Sequence, residues 1–243
     1  MPAPFGPTRQ ARLTPVRSTS VLRWLRKLVH WIRVIITLAP PPIRLDAVAA
    51  TAPGGVVRFD GHDITHAPIH KRALSGLQRS YQITSLFPQF SAEDNVALAI
   101  QAQQGHSFQF WAPARLDDTL RAPARLALRR VGLEDKADLK VSELAHGEQR
   151  QLELGLALAA GPAMLLLDEP MAGMGQSEGL RMMEILRPLK GQVTMLLVEH
   201  DMDVVFSLAD TVSVLVKGSV LVTGTPDQVR DHPEVRRAYL GDG

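Results

Sequence analysis

The sequence Met-Leu-Leu-Leu-Asp-Glu-Pro at residues 164–170 decides the fold of this chain. Residues 163–167 are all apolar, so the strand that we expect here should be covered on both faces, as in a parallel sheet between layers of helices. Pro170 lacks a backbone N–H and ends the strand. The stretch therefore predicts a buried strand of an α/β fold, with two carboxylates at its carboxyl end.

Asp168 and Glu169 follow this strand at the edge of the sheet where open α/β folds bind their ligands. An aspartate in this position can hold Mg²⁺ beside a nucleotide, and a neighbouring carboxylate can accept a proton from an attacking water. An ordinary acidic turn after a buried strand would have the same sequence. The two carboxylates become a candidate site only together with other motifs.

A second buried strand is predicted at residues 193–198, after an amphipathic helix. A strand, a crossover helix and another strand form a parallel pair, so the two carboxyl ends should meet at one edge of the sheet. His200 should therefore lie beside Glu169, where a histidine can donate a hydrogen bond to a phosphate. Asp201 is predicted to cap the next helix.

Three helical segments are predicted before the first buried strand, at residues 92–104, 117–131 and 148–160. Their apolar positions recur with the period of a helix, and polar loops separate them. They predict a helical subdomain of about residues 92–160.

Two further positions each allow two interpretations. Gly147 permits close backbone approach, and the start of the helix that follows offers free N–H groups that suit a phosphate, but the segment also suits an ordinary helix cap. Gln82 follows a short predicted strand, where its amide suits either a metal or water ligand or a solvated loop.

Composition is that of an ordinary globular protein. The chain has 243 residues, of which 45% are hydrophobic and 21% charged, enough for one large or two small domains with a real core. The absence of cysteine excludes disulfides, thiolate metal sites and a cysteine nucleophile. A reducing, cytoplasmic setting is compatible with this composition.

The first 44 residues differ in charge from the rest of the chain. They carry eight Arg and Lys and no Asp or Glu, so a net charge of +2 for the whole chain leaves −6 for residues 45–243. This asymmetry predicts a boundary, and from Gly54 the sequence changes to short strands and turns. We therefore divide the chain into a basic, proline-rich leader, residues 1–53, and a domain, residues 54–243.

Within the leader, residues 21–38 place basic side chains at spacings of three and four along an apolar background, which predicts an amphipathic helix. Such a helix suits an anionic membrane surface. Three arginines and a lysine make it a poor spanning helix, because charges are costly at the centre of a bilayer.

Several of these motifs together resemble the ATP-binding subunit of an ABC transporter. Gln82, residues 144–149, residues 165–169 and His200 occur in the order and spacing of that family. The branched-chain amino acid uptake branch is matched more narrowly by residues 81–87, 146–153, 171–174 and 198–202. The resemblance runs from about Gly54 to the C-terminus and implies a P-loop NTPase-type domain, with a parallel-sheet core and a helical subdomain.

The resemblance also implies roles for individual residues, with ATP and Mg²⁺ as cofactors. Asp168 and Gln82 would bind the metal, Glu169 would act as general base, and His200 would bind the γ-phosphate. A signature segment would complete the nucleotide site of a second subunit, and it consists of Leu144, Ala145, His146, Gly147, Glu148 and Gln149.

The partners implied by the family are transmembrane permease subunits and a second ATP-binding subunit, in a homodimer or heterodimer. A solute-binding protein would act indirectly, and no nucleic acid is expected. Such a subunit would lie peripherally on the cytoplasmic face of the inner membrane and hydrolyse ATP to drive amino acid transport.

The chain departs from the family pattern at three places. No Gly-x-x-x-x-Gly-Lys-[Ser/Thr] occurs anywhere in it, and the family spacing would place the lysine near Ala39, in Thr-Leu-Ala-Pro-Pro-Pro. Ala145 replaces a phosphate-binding serine, and Gly175 replaces an aspartate. The sheet should then lack its P-loop strand, and we expect the first buried strand to lose a neighbour and to face the leader helix or solvent.

Two interpretations follow for the leader. A frame change upstream of Gly54 explains the abrupt start of the resemblance, the missing carboxylates and the proline run together, and we favour it. Alternatively, the chain is a non-hydrolysing subunit that lends its signature segment to a partner and binds the permease and membrane surface. Translating the upstream DNA in the other two frames would discriminate between them.

Overall fold

The computed structural model describes residues 33–38, 57–79, 86–104, 117–216 and 219–240, and for residues 33–38 it describes the backbone. The strands in these ranges are β1 (Arg33–Leu38), β2 (Arg58–Phe59), β3 (His62–Asp63), β4 (Leu77–Arg79), β5 (Met164–Asp168), β6 (Thr194–Glu199), β7 (Thr211–Val216) and β8 (Ser219–Gly224). The α-helices are α1 (Ile69–Leu74), α2 (Ala92–Gln104), α3 (Asp118–Arg130), α4 (His146–Ala159), α5 (Gln176–Leu189), α6 (Met202–Leu208), α7 (Pro226–Arg230) and α8 (Pro233–Leu240).

The described strands form a six-stranded sheet, in the order β4-β5-β6-β1-β7-β8, and a separate hairpin of β2 and β3. β4, β5 and β6 are parallel to one another. β1 is antiparallel to both of its neighbours, and β7 and β8 form an antiparallel hairpin. The predicted α/β fold with a parallel-sheet core is therefore confirmed.

β5 is buried along its whole length, as predicted. Successive side chains of a strand point to opposite faces of the sheet. Leu165 and Leu167 belong to the large core formed with the helices, and Met164 and Leu166 belong to a smaller core that includes Phe59 of the hairpin. Fully burying such a side chain contributes about 1.5–3 kcal/mol, so β5 is anchored from both faces.

β1 corrects the end of the leader helix predicted at residues 21–38. Its residues, Arg-Val-Ile-Ile-Thr-Leu, form a strand rather than the end of a helix. Four of the six are β-branched, which favours a pleated conformation, and β6 and β7 supply hydrogen-bonding partners on both sides. In residues 33–38, tertiary pairing thus overrides the predicted helix. Residues 21–32 lie outside the described residues.

The expectation that the first buried strand would lose a neighbour is also wrong, because β5 lies between β4 and β6. The strand supplied by the leader lies between β6 and β7 instead. Since β1 is antiparallel, Val34 pairs with Glu199 and Leu38 pairs with Met195. The amino end of β1 therefore lies at the same sheet edge as the carboxyl ends of β5 and β6.

The three helices α2, α3 and α4 pack against one another before the chain enters β5. α2 has the predicted bounds, and α3 begins one residue after Asp117, whose side chain caps it by accepting from Thr119 N at 2.9 Å. α4 begins at His146, two residues earlier than predicted. In the described ranges, no helix combines the length and apolar character needed to cross a membrane.

The segment after β5 follows the predicted order of helix, strand and helix. α5 leads into β6, which ends at Glu199, and the side chain of Asp201 then caps α6, as predicted. It accepts from Asp203 N at 2.9 Å and from Val204 N at 3.4 Å. This cap fixes the chain directly after His200.

Candidate functional site

The carboxyl ends of β5 and β6 bring the predicted residues Asp168, Glu169 and His200 to one edge of the sheet. Asp168 is the register partner of Val198. Glu169 N then donates to Val198 O at 2.9 Å, which continues the pairing one residue beyond β5. His200 follows β6 directly. The relative placement expected from a parallel pair is therefore present.

Asp168 is a buried carboxylate with a guanidinium beside it. The residue is 8% exposed, and its Oδ2 accepts from Arg79 Nη2 at 3.4 Å. Arg79 is the last residue of β4, the strand next to β5, and its side chain is about one-third exposed. Because burying an unpaired carboxylate is very costly, the arginine supplies charge compensation at the sheet edge.

Glu169 has a left-handed backbone conformation, with φ +48°. A non-glycine residue in this region stores roughly 1–3 kcal/mol of strain. Its carbonyl accepts from Ala172 N at 3.0 Å, so the chain turns immediately after β5. Such strain is typical of positions where the surrounding structure fixes a side chain for function.

Glu199 is a site residue to which sequence reasoning gave no role. It is 2% exposed, and burial raises the pKa of its carboxyl group, although Met171 N and His200 N both donate to it. The His200 side chain is 65% exposed, and its Nδ1 lies 3.8 Å from Glu199 Oε2. The sequence signal that could have identified Glu199 is an acidic residue at the end of a mostly apolar strand.

The predicted signature segment lies at the start of α4, and its side chains organise the helix terminus. Glu148 forms an ion pair with Lys136, which lowers the pKa of Glu148, and its Oε2 accepts from Ala145 N at 3.1 Å. Gln149 Nε2 donates to Leu144 O at 3.1 Å. Glu148 and Gln149 thus serve as local caps within the segment.

Gly147 and His146 contact the turn that follows β5. A Cβ atom at Gly147 would lie 2.6 Å from Glu178 Oε1, so a side chain there would displace that carboxylate. A Cβ atom at Gly173 would lie 3.5 Å from His146 Cε1. Glu178 of the same chain therefore occupies the space that a side chain at Gly147 would need, and the phosphate site expected at Gly147 stays a prediction.

The donor chemistry of Asp168 fits Mg²⁺. In nucleotide sites this cation binds one or two carboxylates and completes its octahedron with waters and phosphate oxygens. Asp168 offers such oxygens at the ligand-binding edge of the sheet. Across the described ranges, no three His, Asp or Glu side chains are grouped so that they could hold a metal ion. Gln82, the second predicted ligand, lies outside the described residues.

Comparisons with known proteins match most of the chain to one family. A family model described as ABC transporter matches residues 45–172, and one described as branched-chain amino acid ATP-binding cassette transporter matches residues 219–243. The high-affinity branched-chain amino acid transport ATP-binding protein BraF of Pseudomonas aeruginosa is 36% identical over 78% of this chain and 77% of its own length. LivG of Escherichia coli, with the same description, is 33% identical over 78% and 77%.

Solved structures agree on the fold. The ATP-binding cassette MJ1267 of an ABC transporter superposes with a TM-score of 0.67, at 24% identity, over 79% of each chain. Its ADP-bound form gives a TM-score of 0.65, again at 24% identity over 79% of each chain. At this level of identity the likeness concerns the arrangement of the strands and helices.

Proposed function

This chain belongs to the ATP-binding subunits of ABC transporters, in the branched-chain amino acid branch, and we propose that it couples ATP hydrolysis to the uptake of branched-chain or related amino acids. The observation that carries the proposal is the convergence of Asp168, Glu169 and His200 at the carboxyl ends of two adjacent parallel strands. ATP-binding proteins of branched-chain amino acid transport are among its relatives.

The proposed roles follow from the chemistry of each side chain. Asp168, with Gln82, would hold Mg²⁺, and the bound cation would neutralise charge on the phosphates. Glu169 accepts a proton from the attacking water. His200, exposed at the same edge, donates a hydrogen bond to the terminal phosphate.

The signature segment serves the nucleotide of a partner subunit in this proposal. The start of α4 offers backbone N–H groups and the positive end of a helix dipole to a phosphate. Ala145 provides no hydroxyl, so recognition there relies on the backbone and on the neighbouring side chains. The partner is a second ATP-binding subunit, of the same or another kind.

The remaining partners in the proposal are transmembrane permease subunits and, indirectly, a solute-binding protein. The chain would lie on the cytoplasmic face of the inner membrane. The domain, residues 54–243, carries a net charge of −5, which gives it no overall attraction for nucleic acid.

The missing phosphate-binding motif limits what the chain can do by itself. Backbone N–H groups, a lysine and a hydroxyl would normally hold the β- and γ-phosphates and the metal. Hydrolysis therefore requires a segment that the sequence does not contain, as a frame change upstream of Gly54 would explain. Relatives that are transport ATP-binding proteins favour this interpretation over a non-hydrolysing subunit.

The test uses a chain in which residues 1–44 are replaced by the corresponding phosphate-binding segment of BraF. Glu169→Gln should then trap an ATP-bound dimer and abolish turnover, because an amide keeps the shape of the carboxylate but cannot accept the proton. Glu184→Gln, at an exposed position of α5, is the matched control and should hydrolyse ATP normally. Unchanged hydrolysis in Glu169→Gln, measured by phosphate release, would remove Glu169 from the role of base.

A further inference from the structure

Glu199 is a buried carboxylate for which the proposed reaction has no task. It ends β6, directly before His200, and is almost inaccessible to solvent. Burying a carboxyl group at this depth costs free energy unless other groups compensate for the lost hydration. The hydrogen bonds of Glu199 show which groups compensate for this cost and which parts of the chain the carboxylate connects.

Both oxygens of Glu199 accept hydrogen bonds from the backbone, and the two donors belong to different loops. Oε1 accepts from Met171 N at 3.3 Å, in the turn after β5. Oε2 accepts from His200 N at 3.2 Å, at the end of β6. One side chain therefore joins the two loops that carry Glu169 and His200.

The turn after β5 is held at its other end by a second carboxylate. Glu178 Oε2 accepts from Gly175 N at 3.0 Å, and its Oε1 lies against Gly147. Glu199 thus ties the beginning of the turn to β6, while Glu178 caps the end of the turn at the start of α5 and packs against Gly147 of α4. The two carboxylates bind the same turn but face different neighbours, which makes Glu178 a matched comparison for Glu199.

We propose that Glu199 is a positioning residue that locks the turn after β5 to His200, so that Glu169 and His200 keep a fixed spacing. The connection to Glu169 is short, because its carbonyl accepts from Ala172 N, next to Met171. Charge-assisted hydrogen bonds are about twice as strong as neutral ones, so a carboxylate suits this task better than an amide. The inference rests on the roles proposed above for Glu169 and His200.

The experiment measures amide signals and amide hydrogen exchange by NMR in the full 243-residue chain without nucleotide. Glu199→Gln removes the charge but keeps the shape. We expect upfield shifts of the Met171 and His200 amide protons and exchange at both that is faster by roughly fivefold or more. Glu178→Gln should alter the amide of Gly175 and leave that of His200 unchanged. Unaltered exchange in residues 165–167 shows that the fold persists.

Unchanged Met171 or His200 signals in Glu199→Gln would overturn the proposal. An equal response of His200 to Glu178→Gln would overturn it too, because it would indicate general loosening. If the glutamine variant does not fold, Glu199→Asp keeps the charge with a shorter reach and must weaken the same two bonds, and unchanged signals there contradict the proposal. The measurement needs no nucleotide, so it remains decisive even if the proposed transport function fails.

Discussion

The sheet edge and the start of α4 both carry carboxylates, but the two regions hold them by different means. At the sheet edge, Asp168 and Glu199 are buried and are bonded to a guanidinium and to backbone N–H groups. At the start of α4, Glu148 lies nearer the surface and is paired with Lys136. Burial raises the pKa of Glu199, whereas the lysine lowers that of Glu148.

This difference indicates how each region keeps its shape. A buried charge without a partner is costly. Once it is paired, the low dielectric of the interior strengthens its hydrogen bonds and ion pairs, and the side chain is held in one position. Charges near the surface are weakly held and are screened by salt. We therefore expect the sheet edge to be fixed before a ligand arrives. The start of α4, which would face another subunit in our proposal, should remain easier to rearrange.

The largest effect should come from Arg79→Met, which removes the guanidinium beside Asp168. Breaking a buried pair typically costs 3–5 kcal/mol, but Arg79 is about one-third exposed, so we expect a loss of about 1–3 kcal/mol in the free energy of unfolding. Urea denaturation measures it. Adding Asp168→Asn should recover part of the loss, and strictly additive effects would show that the two side chains are not coupled.

A pH series of unfolding free energies should separate Glu199 from Glu148 by the sign of the slope. The folded state raises the pKa of Glu199, so its contribution is complete below the unfolded value of about 4.3 and is lost as the pH rises through the folded pKa. The advantage of the natural chain over Glu199→Gln should therefore shrink with rising pH. An advantage that grows instead would mean that Glu199 is not held in an environment that disfavours its charge.

The smallest effect should come from Glu148→Gln, and its slope should be opposite. The lowered pKa of Glu148 gives a contribution that is present above the unfolded value and is lost as the pH falls through the folded pKa. Near neutral pH the variant should be less stable by below about 1 kcal/mol, and added salt should reduce that difference. A difference that is insensitive to salt and that shrinks with rising pH would instead place Glu148 with the buried carboxylates.

The sequence predicted those elements of the fold whose signals lie within a few neighbouring residues. The apolar run of β5, the apolar period of α2 and the capping aspartate of α6 act within a few residues, and all three are where they were expected. The conformation of β1 depends on a gap between β6 and β7, strands more than 150 residues further along the chain. The β-branched residues of β1 are compatible with a strand, but no local pattern in residues 21–38 indicates the two neighbouring strands with which β1 pairs.

The candidate site shows the same limit. The placement of Asp168, Glu169 and His200 follows from the rule that parallel strands align their carboxyl ends, so the sequence sufficed for it. The contacts of Glu199 with Met171 and of Glu178 with Gly147 depend on the path of the turn after β5. That turn includes a left-handed glutamate, for which the sequence contains no signal.

The most direct test of the account is calorimetry of Mg-ATP binding. Our central claim is that the sheet edge around Asp168 is the family's nucleotide site but cannot hold ATP without a phosphate-binding loop. Each charge-assisted phosphate contact contributes about 1.5–3 kcal/mol. Losing several of them should weaken binding by roughly three decades or more.

The 243-residue chain should therefore show no saturable binding at micromolar concentrations, because its anionic edge repels a triphosphate. The chain with the BraF segment should bind Mg-ATP at micromolar concentrations, and Asp168→Asn should abolish that binding. A micromolar site in the natural chain that Asp168→Asn abolishes, or binding by the BraF-substituted chain that Asp168→Asn leaves intact, would contradict the account.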